Sequence, residues 1–96
     1  MKKGYWIAKY KEINDQSLLS KYAEKAIKII EDFGGKALVR GGKYKTLEGS
    51  EFIRIVIWEF KDLDTAIQCH ESKEYKKAWS IAKKTTKRDL VIVEGV

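Results

Sequence analysis

The order of apolar patterns along the chain predicts an α+β fold of the ferredoxin-like type. This is βαββαβ, a four-stranded antiparallel sheet with the helices on one face. Three observations predict it. A helical periodicity over about residues 16–33 separates two stretches rich in β-forming residues. Phe52–Phe60 is mainly apolar on both of its alternating faces, as a central strand in a covered sheet would be. A second helical pattern then leads into Leu90-Val91-Ile92-Val93.

Each element has a local reason. Tyr5–Tyr10 is aromatic and β-prone and reads as the first strand. Asp15 or Ser17 can cap the next helix by accepting an early backbone N–H. Leu18, Leu19, Tyr22, Ala23, Ala26, Ile27, Ile30 and Phe33 recur at helical spacing and give it one apolar face. Gly34 ends it, because glycine takes the left-handed conformation at low cost. Lys36–Arg40 is the second strand, closed by Gly41-Gly42, and Lys43–Glu51 reads as a long polar hairpin connection. Phe52–Phe60 is the third strand. Asp62 caps a helix carrying Leu63, Ala66, Ile67 and His70, and Ser72 caps a further segment carrying Tyr75, Ala78, Trp79 and Ala82. That segment should end near Thr85-Thr86, with Leu90–Val93 as the fourth strand.

The 96 residues suffice for one domain, 1–96, with a modest core. Hydrophobic residues at 44% and charged residues at 35% give a globular balance. There is no long apolar run, and the start Met1-Lys2-Lys3-Gly4 lacks the pattern of a secretory leader. Cys69 is the only cysteine, so no internal disulfide can form. These features fit a soluble cytoplasmic protein. The net charge of +6 raises the question of nucleic acid. Lys73, Lys76, Lys77, Lys83, Lys84, Lys87 and Arg88 supply much of it, but they spread around a helix and form no stripe. They read as a solvated helix surface, and no nucleic-acid-binding motif is present.

Helices can cover one sheet face only. The other face still holds bulky side chains, and such a patch is avoided on soluble monomers. The expected partner is therefore a second copy, in a two-fold homodimer with facing sheets.

Several motifs carry a resemblance. Gly4-Tyr5-Trp6-Ile7-Ala8, Gly34-Gly35, Leu38-Val39-Arg40-Gly41-Gly42, Leu47-Glu48-Gly49, Glu59-Phe60, Ser72-Lys73-Glu74-Tyr75 and Leu90-Val91-Ile92-Val93-Glu94-Gly95-Val96 stand in the order of the DUF1330 family. The chain resembles that family over nearly its whole length. The resemblance implies a dimeric α+β barrel and no particular reaction, since the family's function is unassigned. The chain departs from the pattern at Lys73, where proline is usual, and at Cys69-His70.

Arg40 and Arg54 are the most informative residues. A hairpin centred near Leu47 would set them directly opposite each other on one face, and a one-residue slip would put them on opposite faces. Like charges placed directly opposite repel, so something negative is expected between them. Glu48, Glu59 and Glu94 are the internal candidates. The external candidate is a ligand carboxylate, enolate or phosphate held by the guanidinium forks. Trp6, Trp58 and Tyr22 would line a flat apolar pocket nearby, unless they are simply core. His70, near a helix C-terminus, could titrate near neutral pH, its protonated form favoured by the helix dipole. Cys69 reads as packing. No metal ligand set is present, the glycine pairs form no phosphate loop, and no cofactor is expected.

Two functions follow. One is a small-molecule binding protein or cofactor-independent enzyme with one pocket per subunit, taking an anionic, carboxylate or quinone-like ligand through Arg40, Arg54, Glu48, Trp58, Tyr22 and His70. By fold analogy, haem-degrading relatives pair a helix histidine and a strand tryptophan with a strand-one asparagine. His70 and Trp58 match two of these, but strand one has no asparagine, so haem is not expected. The other function is a non-catalytic interaction homodimer with no small-molecule site.

Overall fold

The computed structural model describes residues 2–96. The elements are β1 (Gly4–Ile13), α1 (Gln16–Asp32), β2 (Lys36–Arg40), β3 (Arg54–Phe60), α2 (Leu63–Glu71), α3 (Lys73–Trp79) and β4 (Thr86–Glu94). They form a four-stranded sheet in the order β2-β3-β1-β4, with every neighbouring pair antiparallel. The ferredoxin-like α+β fold is as expected, and β1 and β3 occupy its centre.

Local chemistry sets the helix ends. Asp15 caps α1 by accepting the Leu18 N–H at 3.1 Å, and Asp62 caps α2 by accepting the Thr65 N–H at 2.8 Å. The second half of the chain is broken into two helices by Ser72. Its hydroxyl donates to the Cys69 carbonyl at 2.7 Å and accepts the Tyr75 N–H at 3.2 Å. One side chain thus stops α2 and starts α3. The bend turns Tyr75 into the core, where it is 1% exposed.

The core lies between the helices and one sheet face. Trp6, Ala8, Tyr10, Val56, Trp58 and Phe60 supply the sheet side. Leu19, Tyr22, Ala26 and Ile30 of α1, Ala66 and Cys69 of α2, and Tyr75 and Ala78 of α3 supply the helix side. The indole N–H of Trp6 donates to the Ala66 carbonyl at 2.8 Å, so its one polar group is satisfied inside.

The fourth strand departs from expectation. It starts at Thr86, not Leu90, because α3 stops at Trp79 and turns fill the interval. Lys87 and Arg88, read as helix-surface charges, are strand residues. Alternation then puts Arg88 on the same face as Leu90 and Ile92, beneath the helices. The register of β2 also differs. Arg40 faces Val56, and Arg54 instead faces Tyr10 of β1. The pairing is displaced by two residues from a hairpin centred on Leu47, with an irregularity between Ala37 and Val39. An even displacement preserves the face, so Arg40 and Arg54 share the helix-covered side as diagonal neighbours.

The other face is uncovered in the isolated chain. Val39, Ile57, Ile7 and Val91 form an apolar row across all four strands. Val91 is 52% exposed and Val93 43%. No helix among the described residues is long and apolar enough to cross a membrane.

Candidate functional site

A cavity of about 160 Å³ lies between α1 and the helix-covered sheet face. Trp6, Ala8, Val56 and Trp58 form its floor, and Leu19, Ala23 and Ala26 of α1 form its roof. Its titratable groups are of two kinds only: Arg40, Arg54 and Arg88, and the phenols of Tyr10 and Tyr22.

The sheet register explains this convergence. Arg54, Tyr10 and Arg88 are directly paired across β3, β1 and β4, and so form one row. Arg40 lies in the next row, beside Val56. Strand spacing sets Arg54 and Arg88 roughly 10 Å apart at the backbone, with Tyr10 between them. Among the described residues the ion pairs are Lys3–Glu59, Lys11–Asp89 and Lys87–Glu12, and none of them involves these three arginines.

Arg88 is the most heavily engaged of the three. Its Nη1 donates to the hydroxyls of Tyr10 at 3.1 Å and Tyr22 at 3.3 Å, and its Nη2 donates to that of Tyr75 at 2.6 Å. The guanidinium also lies 3.7 Å from the centre of the Trp79 ring, a close cation–π contact. The Tyr22 and Tyr75 hydroxyls share a hydrogen bond of 2.6 Å. Burial works against the charge on Arg88, but the Tyr22, Tyr75 and Tyr10 oxygens beside it more than offset this and raise its pKa. Burial holds Tyr22 well above the ordinary phenol value, and Tyr75 moves the same way despite the opposing pull of Arg88. The cluster at neutral pH is therefore one cation among neutral phenols.

Arg40 and Arg54 flank the β2–β3 connection. Arg40 is exposed, its guanidinium 6.0 Å from the Trp58 ring centre. Arg54 lies over Gly41, which has φ of +70°. A side chain at Gly41 would collide with the Arg54 guanidinium, so this glycine serves both the turn and the arginine.

Of the residues singled out from sequence, the structure brings Arg40, Arg54, Trp58 and Tyr22 to the cavity, together with Trp6. It does not bring Glu48 or His70. Glu48 is exposed in the β2–β3 connection. Glu59 points to the uncovered face, where it accepts the Tyr5 hydroxyl at 3.2 Å. The negative partner sought inside the protein for Arg40 and Arg54 is therefore not found among the described residues. His70 packs against Trp6 and Tyr75, with ring centres at 5.7 and 5.3 Å. Burial, Arg88 and Lys76 lower its pKa, which reverses the protonated state expected from the helix dipole. Cys69 is fully buried, and burial pushes its thiol up to about 12. No group of three or more His, Cys, Asp or Glu side chains that could hold a metal is found among the described residues.

Sequence reasoning missed Arg88, Tyr10 and Tyr75 as site residues. The available signal was parity: residues 88, 90 and 92 share a face if the strand is extended backwards.

The model of the domain of unknown function DUF1330 matches residues 3–96. The chain belongs to the DUF1330 family. No curated protein matches it. Solved structures similar to this DUF1330 chain include a protein of unknown function from Rhodopseudomonas palustris. That one is 12% identical, with 98% of this chain and 82% of that chain covered and a TM-score of 0.75. Another is a dimeric ferredoxin-like protein of unknown function from Bacteroides fragilis, 17% identical, covered 96% and 95%, with a TM-score of 0.62. A protein of the ethyl tert-butyl ether D family from Bacillus halodurans is also 17% identical, covered 98% and 99%, with a TM-score of 0.61. At these identities the likeness is one of fold.

Proposed function

We propose that this DUF1330 protein binds a small anionic molecule, carboxylate or quinone-like, in one pocket per subunit of a homodimer. It acts there as a binding protein or as a cofactor-independent enzyme. The observation that carries this reading is the convergence of Arg40, Arg54 and Arg88 on one cavity with no carboxylate paired to them. Uncompensated guanidiniums beside an apolar floor favour a ligand that brings negative charge and a flat body. The indoles of Trp6 and Trp58 would lie against that body.

The dimer follows from the uncovered face. The Val39–Ile57–Ile7–Val91 row would meet its two-fold copy, closing a barrel of two sheets. The Bacteroides fragilis structure described as dimeric supports this by fold analogy. A lone buried thiol at Cys69 fits a reducing compartment such as the cytoplasm.

A second reading, a dimer without ligand, draws on the three hydrogen bonds that engage Arg88 inside the protein. A thermal-shift screen of small carboxylates, phosphates and quinone-like compounds separates the two. A ligand should raise Tm in the wild type. Arg54→Ala should abolish that rise while leaving the unliganded Tm nearly unchanged. A flat screen, or a collapse of Tm on Arg54→Ala, would favour the second reading.

A further inference from the structure

The two ends of the cavity differ in chemistry. Arg40 is exposed and screened by water, and Arg54 is half-buried above Gly41. Arg88 stands inside, ringed by phenols that are 4% exposed at Tyr10, 6% at Tyr22 and 1% at Tyr75. Each phenol that accepts from Arg88 keeps its own hydrogen to donate. One such hydrogen is used between Tyr22 and Tyr75. That of Tyr10 has no acceptor among the described residues, and Tyr10 lines the cavity.

We propose that the Arg88–Tyr10–Tyr22 corner is an oxyanion subsite that takes the oxygen of a conjugated enol or phenol and favours its ionised form. This rests on the reading of the cavity as a pocket for anionic molecules, and it assigns the ligand class at the inner end. A carboxylate is already ionised in water and needs no such help. An enol or phenol becomes an anion near neutral pH only if its surroundings supply charge and donors. Arg88 supplies the charge, the Tyr10 hydroxyl supplies a donor, and Tyr22 adds a second when Tyr75 is the donor of their shared hydrogen bond. The cavity lining includes no carboxylate, imidazole or thiol, so the proton lost from the ligand passes to solvent. A carboxylate substituent on the same ligand would point outward to Arg40 and Arg54.

The groups around Arg88 leave its charge in control of the subsite. Tyr22 on α1 and Tyr75 on α3 are neutral, and His70 on α2 is pushed toward its neutral form. Arg54, across β1, adds to the positive field. Asp89 and Lys87 flank Arg88 on β4 and are engaged with Lys11 and Glu12.

4-Nitrophenol changes colour on ionisation and tests the proposal directly. The purified dimer is titrated with it across pH by absorbance, with benzoate binding followed in parallel. Bound 4-nitrophenol should ionise at least about one pH unit lower than free 4-nitrophenol. Arg88→Gln should remove most of that fall, and Tyr10→Phe, which keeps the ring and removes the unused donor, should remove part of it. If Arg88→Gln fails to fold, Tyr10→Phe decides. An ionisation midpoint at or above the free value, or one unmoved by Tyr10→Phe in that case, overturns the subsite. Benzoate binding with no binding of 4-nitrophenol also overturns it, but leaves the anionic pocket standing. Absence of saturable binding by either compound overturns the pocket itself.

Discussion

Ile57 and Trp58 are neighbours on β3 and both carry large apolar side chains, yet they meet different surroundings. Trp58 faces the helices and is 5% exposed, while Ile57 belongs to the uncovered row with Ile7, Val39 and Val91. The face that the helices shield also holds the three arginines, whereas the face left open is largely aliphatic at its middle. Polarity is thus placed where a pocket exists, and greasiness where a second sheet would sit. In the proposed function each face would be completed by something the single chain lacks: a ligand on one side, a copy of itself on the other.

Breaking the covered side should have the largest effect. Trp58→Ala removes a buried indole and is expected to lower unfolding free energy by about 3–5 kcal/mol, read by chemical denaturation. The loss should appear at any protein concentration. Ile57→Asp, one residue away, should act through association instead. It is expected to weaken the dimer by at least about 2 kcal/mol and give a monomer at micromolar concentration by light scattering, with its helical signal kept. Equal responses from the two variants would dissolve the distinction between the faces.

Smaller changes sharpen it. Ser72→Ala removes the hydroxyl that joins α2 to α3 and is expected to cost about 1 kcal/mol, with no change in dimer dissociation. The smallest effect concerns His70. Its pKa is lowered in the fold, so the folded state binds fewer protons than the unfolded one. Stability from this residue is present above its ordinary pKa of 6.5 and falls as pH drops below that value. His70→Gln should flatten that part of the stability–pH curve, measured by denaturant midpoint between pH 7 and 5.

Much of the fold could be read from the chain because its signals agreed: helical spacing in α1, a two-sided apolar β3, and Asp62 and Ser72 as caps. The shared face of Arg40 and Arg54 hung on the register: the observed two-residue displacement keeps it, whereas a one-residue slip would have separated them. Their partners could not be read, since the length of the 41–53 connection and the irregularity near Leu38 set the register and leave no clear mark in composition. Arg88 was hidden for a different reason. Thr86-Lys87-Arg88-Asp89 is polar throughout and follows a lysine-rich helix, so local composition argues for solvent. Only pairing with β1, which is 78 residues away for the Arg88–Tyr10 contact, turns it inward. His70 misled in the opposite direction, because a single histidine on a helix shows nothing of the indole and phenol against which it will pack.

That separation of 78 residues has a kinetic corollary. Contacts between distant parts of a chain close late, after local helices and hairpins have formed. A folding intermediate with β1, β2, β3 and α1 docked would possess the apolar chamber, Arg40 and Arg54 but not the cation of Arg88. Under the proposed function, competence to hold an anion at depth would arrive with the last strand, making ligand capture a reporter of the final folding step.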